Sequence, residues 1–122
     1  MTEGANKRSS VRVQVEAFVK VEDDTREYVF RTRDLSESGL FLYTKVAHIY
    51  PFREGSSLRL ELYDYNEYVS CRVVVARVVV MDSAEAESYP VGFGVRIVDI
   101  NEADREKLKG ILGRAKEGES LY

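Results

Sequence analysis

Hydrophobic and polar residues alternate along most of the chain, which is the pattern of half-buried β-strands. The first alternating stretch, 11–22, reads VRVQVEAFVKVE, with valines and Ala17 on one face and polar residues and Phe18 on the other. A polar segment at 22–25 separates it from a second alternating stretch, 26–33. This spacing predicts an antiparallel hairpin.

Four further strand-like stretches follow, at 40–44, 58–63, 68–81 and 91–100. Loops are predicted at 45–57, which contains a proline and a glycine, and at the acidic segment 82–88. The short polar turn between the stretches that begin at Leu58 and Tyr68 predicts a second hairpin. In the last stretch, Gly92 and Gly94 indicate a bulge or a close approach of two backbones.

The hydrophobic period changes at Asn101 to that of an amphipathic helix. Asn101 is predicted to cap this helix, with Asp104 at the third helical position. Apolar residues then recur at helical spacing: Leu108, Ile111, Leu112 and Ala115. Strands without βαβ alternation followed by one helix predict an all-β fold, a six-stranded antiparallel barrel with the helix packed on it. The expected boundaries are an arm at 1–10, a barrel at 11–100, a helix at 101–117 and a tail at 118–122.

Composition places the chain among globular domains. It has 122 residues, of which 44% are hydrophobic and 32% charged, and this is enough for one packed domain. A net charge of -3 argues against binding a nucleic-acid polymer through its phosphates. Residues 1–10 lack the apolar core of a signal peptide, and no stretch approaches the roughly 20 apolar residues that span a bilayer. We therefore expect a cytoplasmic protein without membrane insertion.

Signatures of catalysis are scarce. The chain has one histidine, His48, and one cysteine, Cys71, and it lacks a CxxC pair, a GxxxxGK[ST] loop and a GxSxG turn. We expect no enzyme activity, no metal and no cofactor. His48 is predicted to be a partly buried neutral side chain, and Cys71 a small residue of the core.

Two short motifs lie at the ends of the first predicted hairpin. An RxxxR motif, Arg8 to Arg12, precedes the first strand, and a DxSxxG motif, Asp34 to Gly39, follows the second. In this order and on this scaffold they resemble the signature of the PilZ family, small β-barrels that bind the bacterial second messenger cyclic di-GMP. The resemblance covers roughly residues 7–115 and implies a barrel with a trailing helix.

The resemblance implies roles that fit the chemistry of this ligand, which carries two phosphates and two guanines. Arg8 and Arg12 are assigned to phosphate and base contacts, because guanidinium pairs bidentately with phosphate oxygens and with guanine O6 and N7. Asp34, Ser36 and Gly39 are assigned to guanine contacts. A carboxylate accepts the base's N–H groups, a hydroxyl donates or accepts, and a glycine permits positive φ and close approach.

Lys7, Ser38 and Arg96 are further candidates for ligand contact. Lys7 adds charge beside the arginines, and Arg96 lies in the last predicted strand. Each motif also has a purely structural interpretation. The segment 34–39 forms a good tight turn in any β-protein, and the arginines could belong to a solvated terminus.

The expected function is a receptor that binds cyclic di-GMP and relays the signal to an effector protein. In this family the outputs are motility, surface attachment and biofilm exopolysaccharide, or virulence. The alternative is a nucleotide-independent interaction module of a motility or pilus apparatus, and a homodimer stays open. A barrel that binds single-stranded nucleic acid is disfavoured by the acidic balance.

Overall fold

The computed structural model describes residues 13–64, 67–87 and 90–120, with the backbone alone at 13–16, 85 and 115–120. Its main elements are β1 (Val13–Glu22), β2 (Glu27–Leu35), β3 (Gly39–Tyr43), β4 (Ser57–Asp64), β5 (Glu67–Val79), β6 (Gly92–Asp99) and α1 (Glu102–Ser120). Two short 3₁₀ turns, Ala47–Ile49 and Ala84–Glu87, lie in the segments predicted as loops.

The six strands close into a barrel in the order β1-β2-β3-β6-β5-β4, with every neighbouring pair antiparallel. The predicted fold class is therefore confirmed, as are the two hairpins, β1–β2 and β4–β5. Asp23 closes the first hairpin, because its carboxylate accepts the backbone N–H groups of Thr25 and Arg26 at 2.8 and 2.9 Å. These bonds, with that of Thr25 first, lower the pKa of Asp23 below its ordinary value.

Alternation along each strand divides the side chains between the core and the outer surface. On β2, Phe30 and Thr32 are buried, whereas Val29, Arg31 and Arg33 are exposed. The largest fully buried side chains come from both hairpins, from β3 and β6, and from the helix: Phe93, Leu35, Leu42, Leu60, Leu62 and Ile111. Each such side chain contributes about 1.5–3 kcal/mol by leaving water.

The segment between β3 and β4 folds back over one end of the barrel. Its Tyr50 and Phe52 pack on Phe30 at ring-centroid distances of 5.0 and 6.3 Å, and Phe52 lies 5.3 Å from Phe93. The predicted loop is thus part of the core. His48, in the same segment, is exposed rather than partly buried, because the 3₁₀ turn buries Ala47 and turns its neighbour outward.

Two predicted local features are confirmed. A side chain at Gly92 (φ +145°) would place its Cβ 2.1 Å from the carbonyl oxygen of Leu42, so β3 and β6 need a glycine there. Cys71 is a core residue, 8% exposed, and burial raises the pKa of its thiol to about 12.

Helix α1 packs on β5 and β1 through Leu108, Ile111 and Leu112, and the Asn101 side chain accepts the backbone N–H of Asp104 at 2.8 Å, as predicted for its cap. The helix extends to Ser120, into the predicted tail, since no proline interrupts it. No helix among the described residues is long and apolar enough to cross a membrane, and no cluster of three metal-ligating side chains occurs among them.

Candidate functional site

The DxSxxG motif forms the tight connection between β2 and β3. The backbone N–H of Ser36 donates to the carbonyl of Gly39 at 2.9 Å, and the Ser36 hydroxyl accepts the N–H groups of Ser38 and Gly39 at 3.2 Å each. Ser36 is only 4% exposed. Its side chain therefore fixes the shape of the turn, and a direct contact of this hydroxyl with a ligand stays a prediction.

Gly39 lies where β3 meets β6. A Cβ at this position would lie 2.3 Å from the carbonyl oxygen of Val95, and the Ile97 N–H donates to the carbonyl of neighbouring Ser38 at 2.8 Å. This close approach is one of β6, whereas the close approach of a guanine base at Gly39 stays a prediction. The expected positive φ is wrong, since among the described glycines only Gly55 and Gly92 have one.

Asp34 is oriented by its neighbours at the end of β2. The strand shifts its register against β3 between Thr32 and Asp34, and the buried Thr32 hydroxyl donates to the Asp34 carbonyl at 3.2 Å. The Tyr43 hydroxyl donates to the Asp34 carboxylate. A carboxylate has room for several donors on two oxygens, so the remaining positions of Asp34 can accept base N–H groups.

A cavity of about 280 Å³ opens beside this turn. The motif supplies one side, with Asp34, Ser38 and Gly39, and β5 and β6 supply two guanidinium groups, Arg77 and Arg96. Apolar side chains complete the lining: Leu40, Phe41, Ala76, Pro90 and Val95. Two cations and one carboxylate give the cavity a local positive charge on a chain whose net charge is -3.

The structure brings together five of the predicted site residues, namely Asp34, Ser36, Ser38, Gly39 and Arg96. Lys7, Arg8 and Arg12 lie outside the described residues. The first strand nevertheless begins beside the motif, because Val13 pairs with Leu35 and Gln14 with Asp34.

Arg77 was missed from the sequence. Strict alternation from the buried Val73 and Val75 would direct its side chain inward, but β5 shifts register against β6 between Val75 and Arg77. The only signal in the sequence was an arginine within an otherwise apolar run, 73–81.

The structure is thus a small β-barrel with a cavity beside the connection between β2 and β3. The PilZ domain model matches residues 6–114, and the chain therefore belongs to the PilZ domain family. None of the curated protein sequences compared with the chain matches it.

Three solved structures are similar to this fold. The inhibitor of motility MotI/DgrA of Bacillus subtilis has a TM-score of 0.73 and 18% identity, over 93% of this chain and 52% of that one. The PilZ domain of YcgR from Escherichia coli, solved with c-di-GMP, has a TM-score of 0.72 and 14% identity, over 93% and 94%. The K. pneumonia MrkH–c-di-GMP complex has a TM-score of 0.66 and 17% identity, over 88% and 51%. The chain thus spans about half the length of MotI/DgrA and of MrkH.

Proposed function

We propose that this chain is a cyclic di-GMP receptor that passes the binding event to a protein partner. The observation that carries the proposal is the turn of the DxSxxG motif, which places Asp34 and Gly39 on one cavity with Arg77 and Arg96. Family membership and two similar structures that contain c-di-GMP support this ligand. A cytoplasmic location and the lack of catalytic activity belong to the same proposal.

Cyclic di-GMP needs cationic groups for its phosphates and hydrogen-bonding groups for the edges of its guanines. The lining of the cavity contains side chains of both kinds. Guanidinium groups at Arg77 and Arg96 bind phosphate oxygens or the guanine O6 and N7 acceptors, and Arg8 and Arg12 supply further guanidinium groups. The Asp34 carboxylate accepts the guanine N1 and N2 hydrogens. At Gly39, the missing Cβ lets β3 and β6 meet closely enough to form one continuous wall.

Signalling requires that the ligand bind one state of the protein better than another. We assign this difference to the RxxxR arginines, which precede Val13, the first described residue of β1. Control of motility is the output we favour, because one similar structure is that of an inhibitor of motility.

Isothermal titration of the purified chain with cyclic di-GMP tests the proposal, with GTP and cyclic di-AMP as control ligands. We expect saturable, guanine-selective binding that is lost in Asp34→Ala and retained in Arg59→Ala, which removes an exposed arginine of β4 outside the cavity. Absence of heat for the wild-type chain would overturn the proposal. It would favour a nucleotide-independent interaction module, in which the motif serves only as the turn between β2 and β3.

A further inference from the structure

A second and larger concavity, of about 680 Å³, lies on the outer face of the barrel. We call it the outer groove. Outward-facing residues of β1, β2 and β3 form its floor: Phe18, Val29, Arg31, Arg33 and Tyr43. Residues outside the strands line its walls, among them Lys45, Tyr50, Met81 and Val91.

The outer groove exposes large apolar side chains. Phe18 is 56% exposed, Val29 66% and Met81 56%. Single exposed hydrophobic residues are common, but several in one concavity mark a surface that binds another molecule.

The floor of the outer groove is an ordered row. Tyr43 lies directly opposite Arg31 on the neighbouring strand, and Arg31 lies directly opposite Phe18 on the next. The Arg31 guanidinium stacks over the Phe18 ring at 5.4 Å, and that of Arg33 over the Tyr43 ring at 4.9 Å. Aromatic residues and arginine are the types that contribute most binding energy at protein interfaces.

The outer groove is also cationic. Arg31, Arg33 and Lys45 line it, and none of its lining residues is acidic. In the described part of the chain these three cations form no ion pair, in contrast to Lys20, whose ammonium lies 3.4 Å from the Glu61 carboxylate. Stacking on a ring leaves the N–H edge of a guanidinium group available to a carboxylate.

We propose that the outer groove docks an acidic segment of a partner protein, with apolar side chains on Phe18, Val29 and Met81 and carboxylates on Arg31, Arg33 and Lys45. The positive charge of the outer groove favours an acidic occupant over a basic one. Residues 1–12 of the chain itself are unsuited, because they carry Lys7, Arg8 and Arg12 against a single acidic residue, Glu3. The partner is identified by this combination of acidic and apolar residues.

One hydrogen bond connects the outer groove to the cavity beside the DxSxxG turn. Tyr43 lines the outer groove, and its hydroxyl donates to the carboxylate of Asp34, which lines the cavity. Use of the outer groove as the output surface of a cyclic di-GMP receptor rests on the proposed function. Docking of an acidic segment does not, since it depends on the outer groove alone.

Selection from a library of random 12-residue peptides displayed on phage, with the full chain as target, tests the docking site. We expect recovered peptides to be enriched in Asp and Glu together with Leu, Phe or Trp. Synthetic copies should bind at least tenfold more weakly to Phe18→Ser and to Arg33→Glu. Val98→Ser and Arg59→Glu are the matched controls, because Val98 is 47% exposed and both residues lie away from the outer groove. These controls should bind like the wild-type chain.

Three outcomes would overturn the proposal. The first is recovered peptides without the acidic and apolar enrichment, or peptides that bind the outer-groove variants as tightly as the wild-type chain. The second is a wild-type dimer in sedimentation that Phe18→Ser dissociates, which would make a second copy the occupant. The third is peptide-free binding to phosphatidylglycerol vesicles that the same substitution abolishes. Cyclic di-GMP titration of Phe18→Ser separates the two proposals, since we expect its nucleotide affinity to equal that of the wild-type chain.

Discussion

The cavity beside the DxSxxG turn and the outer groove are joined by the bond from Tyr43 to Asp34 and are built in opposite ways. Backbone geometry positions the side chains that line the cavity, through the Ser36 turn, the close approach of Gly39 to Val95 and the register shift of β5. Side chains on regular strands shape the outer groove. This backbone geometry cannot change without disturbing the barrel, whereas an outward side chain can. This difference suits the two proposals, since the proposed ligand of the cavity is invariant in structure and the proposed partner of the outer groove is a protein whose sequence can vary.

The largest expected effect is a loss of cyclic di-GMP affinity that leaves peptide binding to the outer groove unchanged. Arg8→Ala or Arg12→Ala should weaken cyclic di-GMP binding by about 2–5 kcal/mol, the usual cost of truncating one side of a charge pair. Peptide binding to the outer groove and the free energy of unfolding should stay unchanged, because both arginines precede Val13, the first described residue of β1, in the sequence. Titration calorimetry and urea unfolding measure these quantities. Wild-type nucleotide affinity in both variants would contradict the assignment of the arginines.

The next effect concerns Gly39 and tests whether the close packing of the β3 and β6 backbones is required for the cavity. Gly39→Val should lower the free energy of unfolding by about 1–3 kcal/mol and abolish nucleotide binding, since its Cβ would lie 2.3 Å from the Val95 carbonyl oxygen. The matched control is Gly113→Ala in α1, where a Cβ meets no atom within 4 Å. That variant should be stabilised by up to about 1 kcal/mol. A Gly39→Val chain as stable as the wild type would show that β3 and β6 can separate without cost.

A smaller effect concerns the bond between the two regions. Tyr43→Phe keeps the ring on which Arg33 stacks and removes the hydroxyl that donates to Asp34. Cyclic di-GMP binding should weaken by about 0.5–1.5 kcal/mol, the net worth of one hydrogen bond. Peptide affinity without nucleotide should be retained. A change in peptide affinity alone would place the role of this hydroxyl in the outer groove instead.

The smallest expected effect concerns the reactivity of Cys71, which reports whether each variant keeps the core intact. Burial raises the pKa of the Cys71 thiol to about 12 from 9.0, so at pH 8 the native thiol is protonated and reacts slowly with Ellman's reagent. Phe18→Ser and Arg12→Ala should leave this rate unchanged, whereas Gly39→Val should raise it. A faster rate in Phe18→Ser would mean that the outer groove supports the core.

The same thiol gives the chain a pH dependence with a defined sign. As the pH rises, the thiol ionises in the unfolded chain before it ionises in the native chain, because its native pKa is raised. Ionisation then favours the unfolded chain. The contribution of the buried neutral thiol to the free energy of unfolding is therefore complete below pH 9 and is lost between pH 9 and 12. In that window the free energy of unfolding should fall by about 1.4 kcal/mol per pH unit more than in Cys71→Ala. Urea unfolding of both chains at pH 8, 9 and 10 measures the difference. Parallel profiles would contradict the burial of the thiol.

The sequence predicted the fold because a period of two residues determines which side chains face the core. Val19 and Val21 are buried and Phe18 is exposed, as alternation along the first strand predicted. The turn at 34–39 was predictable for the same local reason, since its bonds join residues within three positions.

The parts that escaped prediction depend on contacts between distant segments. Arg77 enters the cavity through a register shift, which leaves no pattern in a run of valines. Val29 was visibly an outward residue, but its proximity to Met81 across the outer groove follows only from closure of the barrel. Position 39 needs a glycine because β6, more than fifty residues later, passes too close for a Cβ. The local turn alone predicted a positive φ for this glycine instead.

Closure of the barrel has a consequence for how such a protein acquires new partners. Among the residues that the structure describes, each strand from β1 to β6 pairs with a neighbour on both sides, so none of these strands offers an open edge to a foreign strand. Recognition is then left to outward side chains such as Val29, Arg31 and Arg33, which alternate with the buried Phe30 and Thr32. Duplicated copies of this chain can diverge at such surface positions and acquire different targets while the interior of each copy stays the same.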